Sequence, residues 1–140
     1  MFPVVKKARI LCVADPSDTS NKPLYDYRDD DDNVDNVDIV AIGTTVEELK
    51  VEEMLLKGDD DVLPPNVLYV SPHPDARKCV SELLPLLASD AAAKGCIEWI
   101  HCRSAGIDFV TCDALANFQG GPVTNAKGSF SSTLAEYTML

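Results

Sequence analysis

The sequence predicts an α/β fold in which a mainly parallel sheet carries helices on both faces. Short apolar runs recur along the chain and end at turn-forming residues, as strands buried on both faces do. Segments with helical spacing lie between those runs. The length of 140 residues is that of one domain. A domain of this size buries roughly 68–70% of the surface that its unfolded chain exposes.

Five segments have the pattern of strands. The first is closed by an aspartate and a proline, the next three repeat its short apolar form, and the fifth is shorter. They are "ARILCVAD" (8–15), "VDIVAIGTT" (37–45), "VLYVSP" (67–72), "CIEWIHC" (96–102) and a final strand within "GPVTNA" (121–126).

Three segments between these strands have helical patterns. The first, "TVEELKVEEMLLKG" (45–58), has Thr45 as its N-cap and stops at Gly58. The second, "DARKCVSELLPLL" (75–87), contains Pro85, which is expected to end or bend it. The third, "VTCDALANF" (110–118), is short. Strands alternating with helices form βαβ units, and the predicted architecture is flavodoxin-like.

A run of acidic residues interrupts this alternation at about 26–38. Asp29 to Asp32 suggest calcium, but no register supplies the ligand pattern of an EF-hand loop. We therefore predict a solvated, mobile acidic loop here and a second one at "GDDDVLPP" (58–65). The formal net charge of −11 argues against nucleic acid and anionic membranes as partners, because like charges repel.

The five cysteines form no C-x-x-C pair, and the first residues contain no sustained apolar segment of the kind found in secretory signals. Both observations favour reduced thiols in the cytoplasm. Cys96, Cys102 and Cys112 could ligate a metal, but their spacing fits no zinc pattern, and we predict no metal site.

The segment "RSAGID" follows the fourth predicted strand directly. Ligands of open α/β sheets bind beyond the carboxyl ends of the strands. Small residues there allow the backbone N–H groups of Ser104, Ala105 and Gly106 to approach an anion. In the simpler alternative, Gly106 permits a tight turn and Arg103 lies on the surface. Spacing alone favours that alternative.

The last segment, "TNAKGSFSSTLAEYTML", is a glycine-containing turn that runs into a helix predicted at about 132–140. Thr133 and Glu136 have the spacing of a capping box. Together, "WIHCRSAGIDF" and "VTNAKGSFSSTLAEY" resemble the first domain of the D-isomer-specific 2-hydroxyacid dehydrogenases. The resemblance covers about 37–140 and is most specific in the last forty or so residues.

The resemblance implies that residues 1–140 are the substrate-binding domain of such an enzyme. Ser104, Ala105 and Gly106 would bind the carboxylate of a small 2-oxo or 2-hydroxy acid. Four residues of the second turn, Asn125, Lys127, Gly128 and Ser129, would line the cleft beside the cofactor. The final helix would lead into a nucleotide-binding domain that holds NAD or NADP for hydride transfer. Homodimerisation is common in the family.

The sequence departs from the family in one respect. It contains no Gly-x-Gly-x-x-Gly, and the family's catalytic Arg, Glu and His belong to the nucleotide-binding domain, which is absent here. We therefore expect no catalytic residue, no cofactor and no turnover in this chain alone. Neither His73 nor His101 falls on the catalytic position, and both are expected to be structural or surface residues. Arg103 would form a local salt bridge or help to attract the anion.

The alternative is a non-enzymatic flavodoxin-like module that binds a small carboxylic acid or a partner protein. A receiver domain has the same sheet but needs a phosphoacceptor aspartate after its central strand. Because Ser71 follows "VLYV", that variant is excluded.

Overall fold

The computed structural model describes residues 7–30, 37–56, 64–89 and 97–127. Its centre is a five-stranded sheet in which every pair of neighbouring strands is parallel. The strands are β1 (Ala8–Val13), β2 (Val37–Gly43), β3 (Val67–Val70), β4 (Trp99–Cys102) and β5 (Val123–Asn125). Their order, β2-β1-β3-β4-β5, is that of a flavodoxin-like sheet. The predicted fold class and all five predicted strands are confirmed.

Four α-helices connect these strands: α1 (Lys22–Arg28), α2 (Val51–Leu56), α3 (Ala76–Ser89) and α4 (Asp113–Ala116). A 3-10 turn at Thr19–Asn21 leads into α1. Among the described residues, no helix is long and apolar enough to cross a membrane.

Helix α1 was not predicted, because its seven residues contain no apolar stripe. Its second residue is Pro23, in the first turn, where the missing N–H costs no helical hydrogen bond, and Lys22 pairs with Asp26 one turn later at 2.7 Å. The acidic loop predicted at about 26–38 is therefore too wide, since 26–28 belong to α1 and 37–38 belong to β2. Its residues 31–36 lie outside the described part of the chain.

The helix predicted at 45–58 is not continuous in the structure. Thr45 Oγ1 accepts a hydrogen bond from the Glu48 N–H at 3.1 Å, as expected of an N-cap. Lys50 then adopts a φ of 55°, and α2 begins only at Val51. Leu49 and Val51 are both fully buried, and residues two apart cannot share one face of a continuous helix. The break allows both side chains to enter the core. Gly58, the predicted stop, lies outside the described residues.

Helix α3 continues through Pro85 to Ser89, so the expectation that Pro85 ends the helix is wrong. Pro85 itself is exposed. The opposite face of α3 is buried along its whole length and consists of Ala76, Cys79, Val80, Leu83, Leu84 and Leu87. Burial contributes about 1.5–3 kcal/mol for each of the larger side chains. Together these contributions outweigh the roughly 3 kcal/mol cost of a proline within a helix.

The main core lies between one face of the sheet and helices α2, α3 and α4. Alternate strand residues supply the sheet side, namely Leu11, Val13, Leu68, Val70, Ile100 and Cys102. Cys12 lies between two of these in sequence and therefore points to the opposite face. Helix α1 contacts β2 but contributes no residue to the main core, so it packs on that opposite face. The sheet thus has helices on both faces, as predicted.

The chain passes close to β4 just before it enters β5. Pro122 accepts a hydrogen bond from the Ile100 N–H at 3.1 Å, which aligns the incoming segment with β4. A Cβ atom at Gly121 would overlap the carbonyl oxygen of Glu98. Only a residue without a side chain fits at this crossing.

Candidate functional site

The candidate site lies at the edge of the sheet where the carboxyl ends of all five strands meet. The segments that follow β1, β3, β4 and β5 begin at Ala14, Ser71, Arg103 and Ala126. The connection after β1 runs to β2 on one side and the connection after β3 runs to β4 on the other, so the switch point of the fold lies between β1 and β3. Ligands of open α/β sheets bind at such an edge and favour the switch point.

The turn after β4 presents free backbone donors. The Arg103 N–H continues the sheet by donating to the Val70 carbonyl at 2.9 Å. The Ser104 hydroxyl donates to the Gly106 carbonyl and closes the turn. Within the described residues, the N–H groups of Ser104, Ala105 and Gly106 find no acceptor. Both Ala105 and Gly106 are exposed, so these donors are accessible to an anion.

The turn after β5 lies against the turn after β4. The Ala126 N–H donates to the Ser104 carbonyl at 2.9 Å, which joins the two turns directly. Asn125 Oδ1 accepts the Lys127 N–H at 3.0 Å and shapes the second turn. The structure therefore brings together the predicted substrate turn and the first part of the predicted cleft-lining turn. Gly128 and Ser129 lie outside the described residues.

Arg103 attaches the turn after β4 to the segment that precedes α1. Its guanidinium donates to the Ser20 carbonyl at 3.2 Å and to the Ser20 hydroxyl at 3.0 Å. Both acceptors are uncharged, and within the described residues Arg103 forms no salt bridge. The neighbouring Asp18 accepts hydrogen bonds from the Ser20 hydroxyl and N–H, which lower the pKa of its carboxyl, and the charge of Arg103 lowers it further.

Asp15 and His73 face each other across the switch point. His73 Nε2 lies 3.4 Å from Asp15 Oδ2, and His73 Nδ1 accepts the Asp75 N–H at 3.0 Å. In the neutral ring, the proton is therefore on Nε2, directed at Asp15. Hydrogen bonds from the Ser17 N–H and hydroxyl lower the pKa of Asp15, and His73 contributes less. The turn after β1 thus holds carboxylates in their charged form.

Two buried polar side chains lie beneath this pair. Ser71 donates to Asn21 Oδ1 at 3.1 Å, and Asn21 Nδ2 donates to the Asp15 carbonyl at 3.0 Å. Both side chains are almost completely buried, and their hydrogen bonds satisfy them. Ser71 is therefore a structural residue that fixes the β1 and β3 loops relative to each other.

Sequence reasoning did not bring Asp15 and His73 together. His73 is expected to be a structural or surface residue because it does not fall on the catalytic position of the family that the sequence resembles. The sequence does contain a signal for this pair, because Asp15 and His73 follow the two strands that flank the switch point. His101, by contrast, lies within β4 beside Tyr69 and Trp99, and its Nδ1 is 2.8 Å from Thr124 Oγ1.

Burial keeps three of the cysteine thiols in their neutral form. Burial raises the pKa of Cys12 and of Cys79 to about 12, and it also raises that of Cys102. In the described segments, no three His, Cys, Asp or Glu side chains are grouped as a metal site would require. Of the three cysteines considered as ligands, Cys96 lies outside these segments.

The chain matches no protein-family model, no curated protein and no solved structure. The family resemblance therefore rests on the amino-acid sequence alone.

Proposed function

We propose that this chain is the substrate-binding part of an NAD(P)-dependent oxidoreductase that acts on the CH–OH group of D-2-hydroxy acids. The observation that carries the proposal is the hydrogen bond between Ala126 and Ser104. It joins the two turns that the resemblance assigns to one cleft, although they lie about twenty residues apart in the sequence. Because β4 and β5 are neighbouring parallel strands, the turns that follow them meet at the ligand-binding edge of the sheet.

The first turn has the donors that a carboxylate needs. The N–H groups of Ser104, Ala105 and Gly106 are free within the described residues, and Arg103 adds a positive charge without a salt bridge. Charge-assisted hydrogen bonds contribute about 1.5–3 kcal/mol each, so two or three of them would hold a small 2-oxo acid.

The nicotinamide cofactor would supply the hydride that interconverts the 2-oxo and 2-hydroxy acids. The described residues do not fit a dinucleotide themselves. In a dinucleotide-binding fold, the turn after the first strand is rich in glycine and faces the pyrophosphate. Here the turn contains Asp15 and Asp18, whose pKa values are both lowered. Their negative charges would repel a pyrophosphate, and we assign cofactor binding to a separate nucleotide-binding domain.

The test is a titration of the ¹⁵N-labelled chain with glyoxylate, pyruvate and 2-oxoglutarate, followed by amide chemical shifts. Saturable shifts are expected at 103–107 and 125–127. Pyruvamide, which lacks the carboxylate, should produce no saturable shift at these residues. Shifts that are absent there, or equal with pyruvamide, would contradict the proposal.

Gly106 offers a matched pair of variants. A Cβ at this position meets nothing within 4 Å, so Gly106→Ala should keep the fold and most of the affinity. Gly106→Val fills the space in front of the donors and should weaken binding by about tenfold or more, the equivalent of one lost charge-assisted hydrogen bond. Equal affinities of the two variants would exclude this turn as the carboxylate site.

A free-standing acid-binding module would give the same titration. The intact mass of the endogenous protein separates the two possibilities. A product that continues into a strand and a glycine-rich turn supports the dehydrogenase, and binding of NADH by that product supports it further. A product of 140 residues would leave the acid-binding module as the function.

A further inference from the structure

A second cleft lies beside the first turns of α3. It is bounded on one side by the helix and on the other by Phe109, and its volume is about 570 Å³. Six residues line it, namely His73, Pro74, Arg77, Lys78, Ser81 and Phe109. The turn at 104–106 contributes none of them.

The charge of this cleft is opposite to that of the chain. Two of the six lining residues, Arg77 and Lys78, carry a positive charge at neutral pH and none is acidic, although the net charge of the chain is −11. Arg77 donates to the uncharged carbonyl of Asp108. Lys78 forms no hydrogen bond or salt bridge with any described residue. Within the described residues, neither cation forms a salt bridge with a carboxylate.

The position of these cations on α3 is only partly compensated, by Asp75 directly before the helix. Arg77 and Lys78 lie in the first turn, where the positive end of the helix dipole disfavours cations. The first turn contains no acidic residue. Two adjacent cations also repel each other, and a bound anion would relieve both effects.

We propose that this cleft binds the phosphate group of a small molecule or free inorganic phosphate. Arg77 presents a planar set of donors and Lys78 a point charge, the combination that phosphate oxygens favour. The hydroxyl of Ser81 lines the same cleft and supplies a further donor. Phe109 forms an apolar wall suited to the carbon part of a phosphate ester. This site is independent of the carboxylate turn and does not rest on the proposed function.

The test is a titration of the ¹⁵N-labelled chain with inorganic phosphate at constant ionic strength. Saturable amide shifts are expected at 73–81 and 108–110. Shifts that are absent there, or that grow linearly without saturation, would overturn the proposal. A parallel titration with glycerol 2-phosphate identifies the source of the ligand. Tighter binding than inorganic phosphate indicates a phosphate ester, and weaker binding indicates free phosphate.

Lys78→Gln is the informative variant, because Lys78 has no partner among the described residues and its loss should leave the fold intact. Phosphate affinity should fall about threefold to fivefold, the change expected when one exposed charge pair is lost. Lys50→Gln removes the same charge from the exposed turn before α2 and should change the affinity by less than about 1.5-fold. Equal effects of the two variants would show a response to net charge and overturn the proposal.

Arg77→Gln combined with Lys78→Gln should abolish saturable binding of phosphate. Because Arg77 also contacts Asp108, the thermal unfolding of this double variant is measured alongside. In the folded double variant, 2-oxo acid binding at 103–107 should persist, so failure of this site and failure of the proposed function are distinguishable.

Discussion

At the scale of single residues, hydrogen bonds fix the charges along the carboxyl edge of the sheet. Ser17 donates twice to Asp15, at 2.8 Å from both its N–H and its hydroxyl. Ser20 does the same for Asp18, at 2.9 Å and 2.7 Å. Each serine therefore stabilises the charged form of the carboxylate two residues before it, and the turn after β1 stays negative at neutral pH.

This arrangement predicts a specific sensitivity to acid. The folded pKa values of Asp15 and Asp18 lie below the usual value of 3.8, so the stability they contribute is present above about pH 4 and is lost as the pH falls through the folded values. Between pH 7 and pH 3, a variant with Asp15→Asn and Asp18→Asn should lose less stability than the unmodified chain. Urea unfolding at each pH measures the difference.

The control variant also removes two negative charges, but from a site without these serine hydrogen bonds. Glu52→Gln with Glu53→Gln removes two exposed carboxylates from the first turn of α2. This pair should retain the acid sensitivity of the unmodified chain. If both double variants respond to pH alike, the serine hydrogen bonds do not set the acid sensitivity.

At the scale of helices and strands, the burial of side chains explains which predictions from the sequence pattern are correct and which are wrong. The apolar runs predicted all five described strands correctly. A continuous apolar run such as that in β1 is stable mainly when it is buried, as in a parallel sheet. The prediction of one continuous helix at 45–58 is wrong because the sequence shows that Leu49 and Val51 are apolar but does not show that both are buried. Helix α1 was missed for the opposite reason, since none of its residues is fully buried.

Pro85 provides a prediction at this scale. It lies inside α3, is exposed and has no N–H to donate to the helix, so Pro85→Ala should restore one helical hydrogen bond. We expect a gain of about 1–2 kcal/mol in the free energy of unfolding, after allowance for the greater freedom of the unfolded chain. Urea denaturation measures it. Leu87→Ala in the same helix removes a buried side chain and should destabilise by about 2–5 kcal/mol.

At the scale of the whole molecule, net charge outweighs individual ion pairs. The described ion pairs between basic side chains and aspartates, such as Lys22 with Asp26, involve partly or largely exposed groups. Exposed pairs contribute about 1 kcal/mol or less each. The formal charge of −11 acts on the entire chain and favours its expansion.

Salt is therefore expected to stabilise the protein. An increase from about 10 mM to about 150 mM NaCl shortens the Debye length from roughly 30 Å to roughly 8 Å and screens the repulsion. The Tm should rise by several degrees, and it should rise less in the variant with Glu52→Gln and Glu53→Gln. Calorimetry at both salt concentrations measures the shift. A Tm that falls with salt would show that ion pairs dominate.

The whole molecule also shows how far sequence reasoning reached. Alternating strands and helices predicted the parallel sheet, and a parallel sheet places every strand end at one edge. The meeting of the turns at Ser104 and Ala126 follows from that geometry. The order of the strands depends on which edges pair, and single segments carry no such information. The approach of His73 to Asp15 depends on that order and therefore appeared only in the structure.

The central position of β1 has a consequence for synthesis on the ribosome. Strand β1 emerges before the other four described strands, yet one of its two neighbours is β3, and Asn66, which binds β1 at the start of β3, follows Arg9 by 57 residues. At roughly 5–20 residues per second, that distance corresponds to about 3–11 s of translation. During this interval, the apolar strand has no partner on its β3 side. Nascent chains stalled before Asn66 should therefore bind chaperones, whereas chains stalled after β4 should release them.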